Sequence, residues 1–202
     1  MKKILLSGVA VAAFSLVSFA PVDELAIGAA MPKGDLKMQD FTGKQVALND
    51  VMGENGLMVM FSCNTCPFVI KNEERTKEVS LYAQKNKVGV ILVNSNEGQR
   101  SGDDSYEAMQ LYAKTKGYEW HYVVDKNSVL ADAFGAKRTP EVFLFDKNRK
   151  LVYHGAIDDN PSNAEAVKRQ HLKIAIDELV AGKEISVKTS KSVGCTIKRV
   201  KE

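Results

Sequence analysis

The sequence predicts an α/β fold in which helices flank both faces of a central mixed β-sheet. Apolar runs of strand length, at residues 57–61 and 88–93, alternate with stretches of helical periodicity, as in parallel strands joined by helices. Two later runs, at residues 141–145 and 150–154, are separated only by a short turn. They add an antiparallel pair, so the sheet is expected to be mixed.

The first 20 residues have the pattern of a signal peptide. Lys2 and Lys3 form a basic start, residues 4–20 carry no charge, and Ser18-Phe19-Ala20 resembles a small-x-small cleavage site. We therefore expect an exported protein, located in the periplasm. If the signal is not cleaved, residues 4–20 are nearly long enough to anchor the chain in a membrane.

The charge balance and the number of cysteines limit the functions that the chain can have. Without residues 1–20 the chain has 26 basic and 25 acidic residues, which gives no electrostatic reason to expect binding to nucleic acid. A domain of this size buries about 70% of its unfolded surface and needs no disulfides for stability. The three cysteines are therefore interpreted as chemical groups: Cys63, Cys66 and Cys195. Disulfides persist outside the cytoplasm, and an odd number leaves one thiol to exchange with a pair.

The folded domain is expected to occupy residues 36–182, after a leader of residues 21–35 that has no clear period. Two short alternating segments flank a turn that contains Gly43, which predicts an N-terminal β-hairpin. The strand at 57–61 is apolar on both faces and should lie centrally in the sheet. The predicted strands are 36–38, 46–48, 57–61, 88–93, 120–124, 141–145 and 150–154, and the predicted helices are 67–85, 104–116, 128–134 and 163–181.

Local residue types set the predicted helix ends. Pro67 suits a first helical position, because the N–H that it lacks would have no partner there. Asp104 with Glu107 three residues later resembles a capping box. Gly135 and Gly182 are expected to end the helices that precede them.

The chain is organised around Cys63-Asn64-Thr65-Cys66-Pro67, where the strand at 57–61 gives way to a helix. This arrangement places the Cys66 sulfur over free backbone N–H groups and the positive end of a helix dipole, which favours the thiolate. The thiolate is the reactive form, and such surroundings lower a cysteine pKa well below about 8.5. Cys63 reaches the same sulfur, so the turn is predicted to be a redox site that needs no metal or organic cofactor.

Two other interpretations of Cys63 and Cys66 stay open. A closed zinc site takes four ligands, usually as two close pairs, whereas the other candidate ligands are scattered, namely Cys195, His121, His154 and His171. A permanent structural disulfide would close a small ring and contribute little stability through loop closure.

Residues 183–202 are expected to form a basic tail that carries Cys195. Residues 193–197 have the pattern of a strand that would lie beside the redox turn. Cys195 is then either an auxiliary or resolving thiol, or a small buried apolar residue. The sequence leaves both open.

With its redox turn and a Thr139-Pro140 step before a late strand, the chain resembles the thioredoxin superfamily. It is most similar to the redoxin branch, which groups thioredoxin-like reductases with alkyl hydroperoxide reductase/thiol-specific antioxidant proteins. The resemblance covers roughly residues 27–181 and implies a thioredoxin-like fold. It also implies a cis bond before Pro140, which frees the Thr139 backbone to bind a substrate chain.

The resemblance assigns roles to the two cysteines, although this Cys-x-x-Cys pair lies one turn closer to the N-terminus than the usual pair of the family. Counted from Phe61, the place of the attacking cysteine falls on Cys66 and the place of its usual partner on Val69. Cys66 is therefore expected to attack and Cys63 to resolve. Met60 stands where the family usually buries an aspartate, so the residue that would move the proton of the buried thiol is not identified.

The expected function is that of an exported thiol–disulfide oxidoreductase. The Cys66 thiolate attacks a disulfide, Cys63 or Cys195 displaces the product, and Thr139 and Pro140 bind the substrate. Expected partners are protein or small-molecule thiols and disulfides, and a thiol protein that donates electrons.

Two alternatives are a thiol-dependent peroxidase and a redoxin-fold binding module without catalysis. Cys66-Pro67 matches the start of the peroxiredoxin helix. However, Val59 and Cys63 stand where peroxiredoxins have a proline and the hydroxyl residue that binds peroxide.

Overall fold

The computed structural model describes residues 23–200. Within that range the strands are β1 (Met38–Asp40), β2 (Gln45–Val46), β3 (Gly56–Ser62), β4 (Val88–Asn94), β5 (His121–Val124), β6 (Arg138–Thr139), β7 (Glu141–Asp146), β8 (Leu151–Gly155) and β9 (Cys195–Thr196). The helices are α1 (Leu48–Val51), α2 (Pro67–Lys71), α3 (Glu73–Lys85), α4 (Tyr106–Lys116), α5 (Val129–Phe134) and α6 (His171–Val180).

Seven of these strands form a sheet in the order β2-β1-β5-β4-β3-β7-β8. Strands β3, β4 and β5 run parallel, and the other neighbours are antiparallel. The predicted hairpin is β1 with β2, in which Met38 pairs with Val46. Every residue of β3 is buried between β4 and β7. The predicted mixed sheet and its central strand are therefore confirmed.

Alternate side chains of β3 enter two separate cores. Met58 and Met60 face a cluster to which α3, α4 and α6 contribute. Phe61 points the other way, into a cluster with α1 and α5, where its ring centroid lies 5.5 Å from that of Phe134 and 5.6 Å from that of Phe143. Helices thus cover both faces, as the binary pattern of a two-sided sheet requires.

The helix predicted over residues 67–85 is wrong in one respect, because it is interrupted at Asn72. The side-chain amide of Asn72 donates to the carbonyl oxygens of Phe68, at 2.7 Å, and of Pro161, at 3.0 Å. The second bond crosses from a distant loop and holds the backbone of Asn72 at φ −99° and ψ 6°. The redox turn is therefore followed by the short helix α2, and α3 is a separate element.

Two other predicted helix starts are also wrong. Helix α4 begins one residue after Ser105, whose hydroxyl caps it by accepting from the Ala108 N–H at 3.2 Å; Asp104 does not cap it. The last helix begins only at His171, because residues 159–169 close a loop on themselves. Asp159 donates its N–H to the carbonyl of Arg169 at 3.1 Å, and the only helical pairing between these two residues is a single 3-10 turn at Ala164–Ala166.

Both ends of the described range pack on the domain. The expected signal at residues 1–20 lies outside the described residues, as do the first two residues of the leader. Leu25 and Ile27 contact the core cluster around Phe61. In the tail, Ile185 and Ile197 are buried, so this segment is part of the folded unit and not only a solvated extension. Between residues 23 and 200, no helix is both long enough and apolar enough to span a bilayer.

Candidate active site

The redox turn follows directly from the buried strand β3. Cys66 is the N-cap residue of α2, with φ −63° and ψ 123°, and Pro67 occupies the first turn of the helix as predicted. The extended conformation at Cys66 suits a residue that precedes proline. Because α2 has five residues, the backbone N–H groups nearest the sulfur matter more than the dipole of a long helix.

All three cysteines meet at one place, and all are free thiols. Cys63 and Cys66 are buried, whereas Cys195 is partly exposed. A cleft of about 210 Å³ opens over the sulfur atoms, and its walls are formed by Cys63, Thr65, Cys66, Pro67, Asn96, Gln99, Cys195 and Lys198. No group of three or more His, Cys, Asp or Glu residues in the range 23–200 is arranged to hold a metal ion.

The Thr139-Pro140 bond is cis and faces the cysteines, which confirms that expectation. The Cys66 Sγ lies 3.2 Å from the Thr139 carbonyl oxygen, and the Cys63 Sγ lies 3.4 Å from the Thr139 hydroxyl. A thiol at Cys66 can donate to that carbonyl, whereas a thiolate cannot. This single contact therefore acts against ionisation of Cys66.

The other contacts of Cys66 favour its ionisation. A hydrogen bond from the Cys63 thiol is the main cause that lowers the pKa of Cys66 to about 4, against the opposing effect of burial. The Cys195 thiol and the backbone N–H groups of Val69 and Cys195 act in the same direction. One negative charge at Cys66 is thus surrounded by several donors.

The pKa values of the two neighbouring thiols are raised, whereas that of Cys66 is lowered. The hydrogen bond that Cys63 donates to Cys66, together with burial and the nearby Asp104 carboxylate, raises the pKa of Cys63. Burial and the contact with Cys66 raise the pKa of Cys195. The site therefore combines one ionised sulfur with two protonated ones.

The model of the Redoxin family matches residues 26–168. The chain belongs to the Redoxin family. The match stops short of the tail, so Cys195 lies beyond the part of this redoxin that the family model describes.

Individual proteins are similar to this chain in sequence or in structure. The thiol-disulfide oxidoreductase ResA of Geobacillus thermodenitrificans is 25% identical over 133 residues, which are 66% of this chain and 71% of ResA. A hypothetical protein from Sinorhizobium meliloti has a solved structure that is 30% identical and superposes with a TM-score of 0.81, over 89% of this chain and 98% of that one. An uncharacterized conserved protein from Geobacillus kaustophilus is also 30% identical, with a TM-score of 0.81 over 88% and 94% of the two chains.

A buried polar network behind the redox turn was missed by the sequence analysis. The fully buried Asp104 carboxylate accepts from the Asn64 N–H at 2.9 Å, the Asn94 amide at 2.7 Å and the Asn96 amide at 2.9 Å. The Asn64 side chain in turn accepts from the Tyr122 hydroxyl at 2.9 Å. This network fixes Asn64, one of the two residues between Cys63 and Cys66. A run of polar residues directly after the apolar strand β4 was the only indication in the sequence.

A second buried pair supports the cis-proline loop. Glu141, directly after Pro140, accepts from His154 at 2.8 Å and from the backbone N–H groups of Lys137 and Arg138 at 2.7 and 2.9 Å. The Glu141 carboxylate therefore holds the strand that carries Thr139. His154, which the sequence offered only as a scattered candidate metal ligand, is buried near the end of β8.

Proposed function

We propose that this redoxin is a thiol–disulfide oxidoreductase in which Cys66 attacks the disulfide and Cys63 resolves it. The observation that carries the proposal is the set of donors around the Cys66 sulfur, one of which is the Cys63 thiol. A thiolate stabilised in this way is both a nucleophile and a good leaving group. The relationship to ResA, named as an enzyme of this class, supports the same reaction.

The reaction consists of two exchanges at one sulfur. The Cys66 thiolate attacks one sulfur of a substrate disulfide, forms a mixed disulfide and releases the first product as a thiolate, which takes a proton from water. Cys63 then attacks the Cys66 sulfur and passes its proton to the second product as that product leaves. Cys63 and Cys66 end as a disulfide, and the substrate ends as two thiols. A thiol protein that donates two electrons would return the pair to its reduced state.

The test is a single-turnover reaction with one equivalent of dipyridyl disulfide per protein. The wild type should release two thiopyridine groups per probe, because attack and resolution each release one. Cys66→Ser should abolish the fast release. The double variant Cys63→Ser/Cys195→Ser should release one group and keep the other as a stable adduct on Cys66. Fast release by the Cys66→Ser protein at the wild-type rate would refute the proposal.

A thiol-dependent peroxidase is the second candidate, and one observation favours it. The sequence lacks the family's hydroxyl residue before the cysteine, but the fold brings Thr139 to the thiols, with its hydroxyl 3.4 Å from the Cys63 sulfur and its carbonyl oxygen 3.2 Å from the Cys66 sulfur. A stoichiometric addition of hydrogen peroxide should then convert Cys66 to a sulfenate faster than dipyridyl disulfide modifies it. The reverse order of rates favours disulfide exchange.

Export is part of the proposal, and it depends on the basic and apolar pattern of residues 1–20. In an oxidising compartment the reduced form of Cys63 and Cys66 requires a dedicated electron donor. Fractionation of cells that express the full chain, with mass analysis of the mature N-terminus, tests both the location and the cleavage after residue 20.

A further inference from the structure

The tail of this redoxin occupies the backbone edge beside the cis-proline. Strand β9 pairs antiparallel with β6, so that Cys195 lies opposite Thr139 and Thr196 opposite Arg138. The approach is close, because a Cβ placed on Gly194 would lie 2.1 Å from the Thr139 carbonyl oxygen. Only glycine fits there without a shift of one of the two backbones. The edge at which the sequence analysis expected a substrate chain is therefore taken by the protein itself.

Contacts beyond β9 hold the tail in this position. The Lys198 N–H donates to the Asn96 side chain at 2.9 Å, and the Lys198 carbonyl accepts from the Gly98 N–H at 2.7 Å. Ile197 is buried in the core that contains Phe61. The tail thus connects the loop after β4, which belongs to the polar network, with the cis-proline loop.

This pairing sets Cys195 directly against Cys66. Cys195 packs against the cluster that contains Cys66, and both residues line the cleft over the thiols. The Cys195 thiol and backbone N–H are among the groups that lower the pKa of Cys66. Cys63 is buried in the same cluster, whereas Cys195 is partly exposed. Cys66 therefore has two neighbouring thiols, one buried and one partly exposed.

We propose that β9 is an internal substrate strand and that Cys195 forms a disulfide with Cys66 during turnover. The inference rests on the proposed function, because it needs the mixed disulfide between Cys66 and a substrate. Cys195 attacks the Cys66 sulfur of that mixed disulfide, and its proton goes to the departing substrate thiolate. Cys63 then attacks the same Cys66 sulfur and passes its proton to Cys195. The result is a Cys63–Cys66 disulfide and a regenerated Cys195 thiol, with two substrate thiols released.

The single variant Cys63→Ser tests this step, because it removes the second exchange and leaves the first. With one equivalent of dipyridyl disulfide it should release two thiopyridine groups, and peptide mapping should find a Cys66–Cys195 disulfide. The rate of the second release should not change with protein concentration, since the step is intramolecular. Release of one group, with a lasting adduct on Cys66, would overturn the inference and leave the proposed function intact. Loss of fast attack by Cys66 in the wild type would refute the proposed function instead.

A second variant separates the role of β9 from the presence of a third thiol. Adding Gly194→Val to Cys63→Ser should displace β9 from Thr139 while all remaining sulfur atoms are kept. The second release should then slow at least tenfold and the adduct on Cys66 should accumulate. Gly102→Ala is the matched control, because its Cβ would meet no atom closer than 3.9 Å, and it should leave the second release unchanged. An unchanged rate in the Gly194→Val variant would show that the pairing of β9 is not required, and would overturn the inference.

Discussion

The ionisation of Cys66 leads to a prediction about pH. With a pKa of about 4, Cys66 is about nine-tenths ionised at pH 5, whereas a thiol at the ordinary value of 9.0 is ionised in about one molecule in 10⁴. A thiolate of lower pKa is also less nucleophilic, by a factor of about 10² over this difference in pKa. The two effects together make Cys66 roughly 10² times faster than an ordinary thiol at pH 5, and roughly equal to it near pH 7.

The measurement is the rate of reaction with dipyridyl disulfide between about pH 5 and 8, with peptide mapping to identify Cys66 as the modified residue. We expect a nearly flat profile in the wild type. Cys63→Ala removes the main donor to the Cys66 sulfur, so the pH at which the reaction rate of this variant begins to rise should be higher than in the wild type. Cys63→Ser keeps a hydrogen-bond donor beside the sulfur and should raise that pH by a smaller amount. A wild-type rate that climbs about tenfold per pH unit across this range, as for an ordinary thiol, would refute the reasoning.

Three further predictions concern the parts that support the site. Asp104→Ala leaves three buried N–H groups without an acceptor and should lower the free energy of unfolding in urea by roughly 3–5 kcal/mol. The control is the exposed neighbour Asp103, whose replacement by alanine should lower it by less than about 0.5 kcal/mol. Equal losses would contradict the role of the network. Phe61→Ala should cost about 3–5 kcal/mol in the same assay, because its buried ring contacts two others, and a loss below about 1 kcal/mol would show that this core is not closely packed. Burial opposes the ionisation of Glu141, but the bond from His154 and two backbone N–H groups outweigh it and lower its pKa below 4.5, so the stability it contributes is complete above that pH and is lost as the pH falls further. Glu141→Gln should therefore flatten the acid side of the stability profile, and an unchanged profile would contradict the assignment.

The local pattern of apolar and polar residues was sufficient to predict most of the fold. The strands β3 and β4 were predicted because a strand buried on both faces has an uninterrupted apolar run. The break at Asn72 was not predictable in this way, since it depends on a carbonyl group 89 residues away. Asp104 was misassigned for the same reason. Its spacing to Glu107 fits a helix cap, but its carboxylate is directed to donors on two other elements.

Part of the candidate site was likewise predictable from the sequence, and part of it was not. Cys63 and Cys66 lie three residues apart on one turn, so their meeting follows from the sequence itself. The cis bond at Pro140 followed only from the resemblance to a family. The strand pattern around Cys195 indicated a position beside the redox turn, but the pairing with Thr139 depends on a glycine that allows two backbones to meet.

The separation of the cysteines along the chain has a consequence for thermal denaturation. Cys66 has one sulfur neighbour three residues away and another 129 residues away. In the chain-entropy model a bridge across the short interval stabilises the native state by about 2 kcal/mol and one across the long interval by about 5 kcal/mol. That difference corresponds to roughly 6–12 °C in melting temperature for a domain of this size. Calorimetry would therefore distinguish two oxidised forms of identical mass.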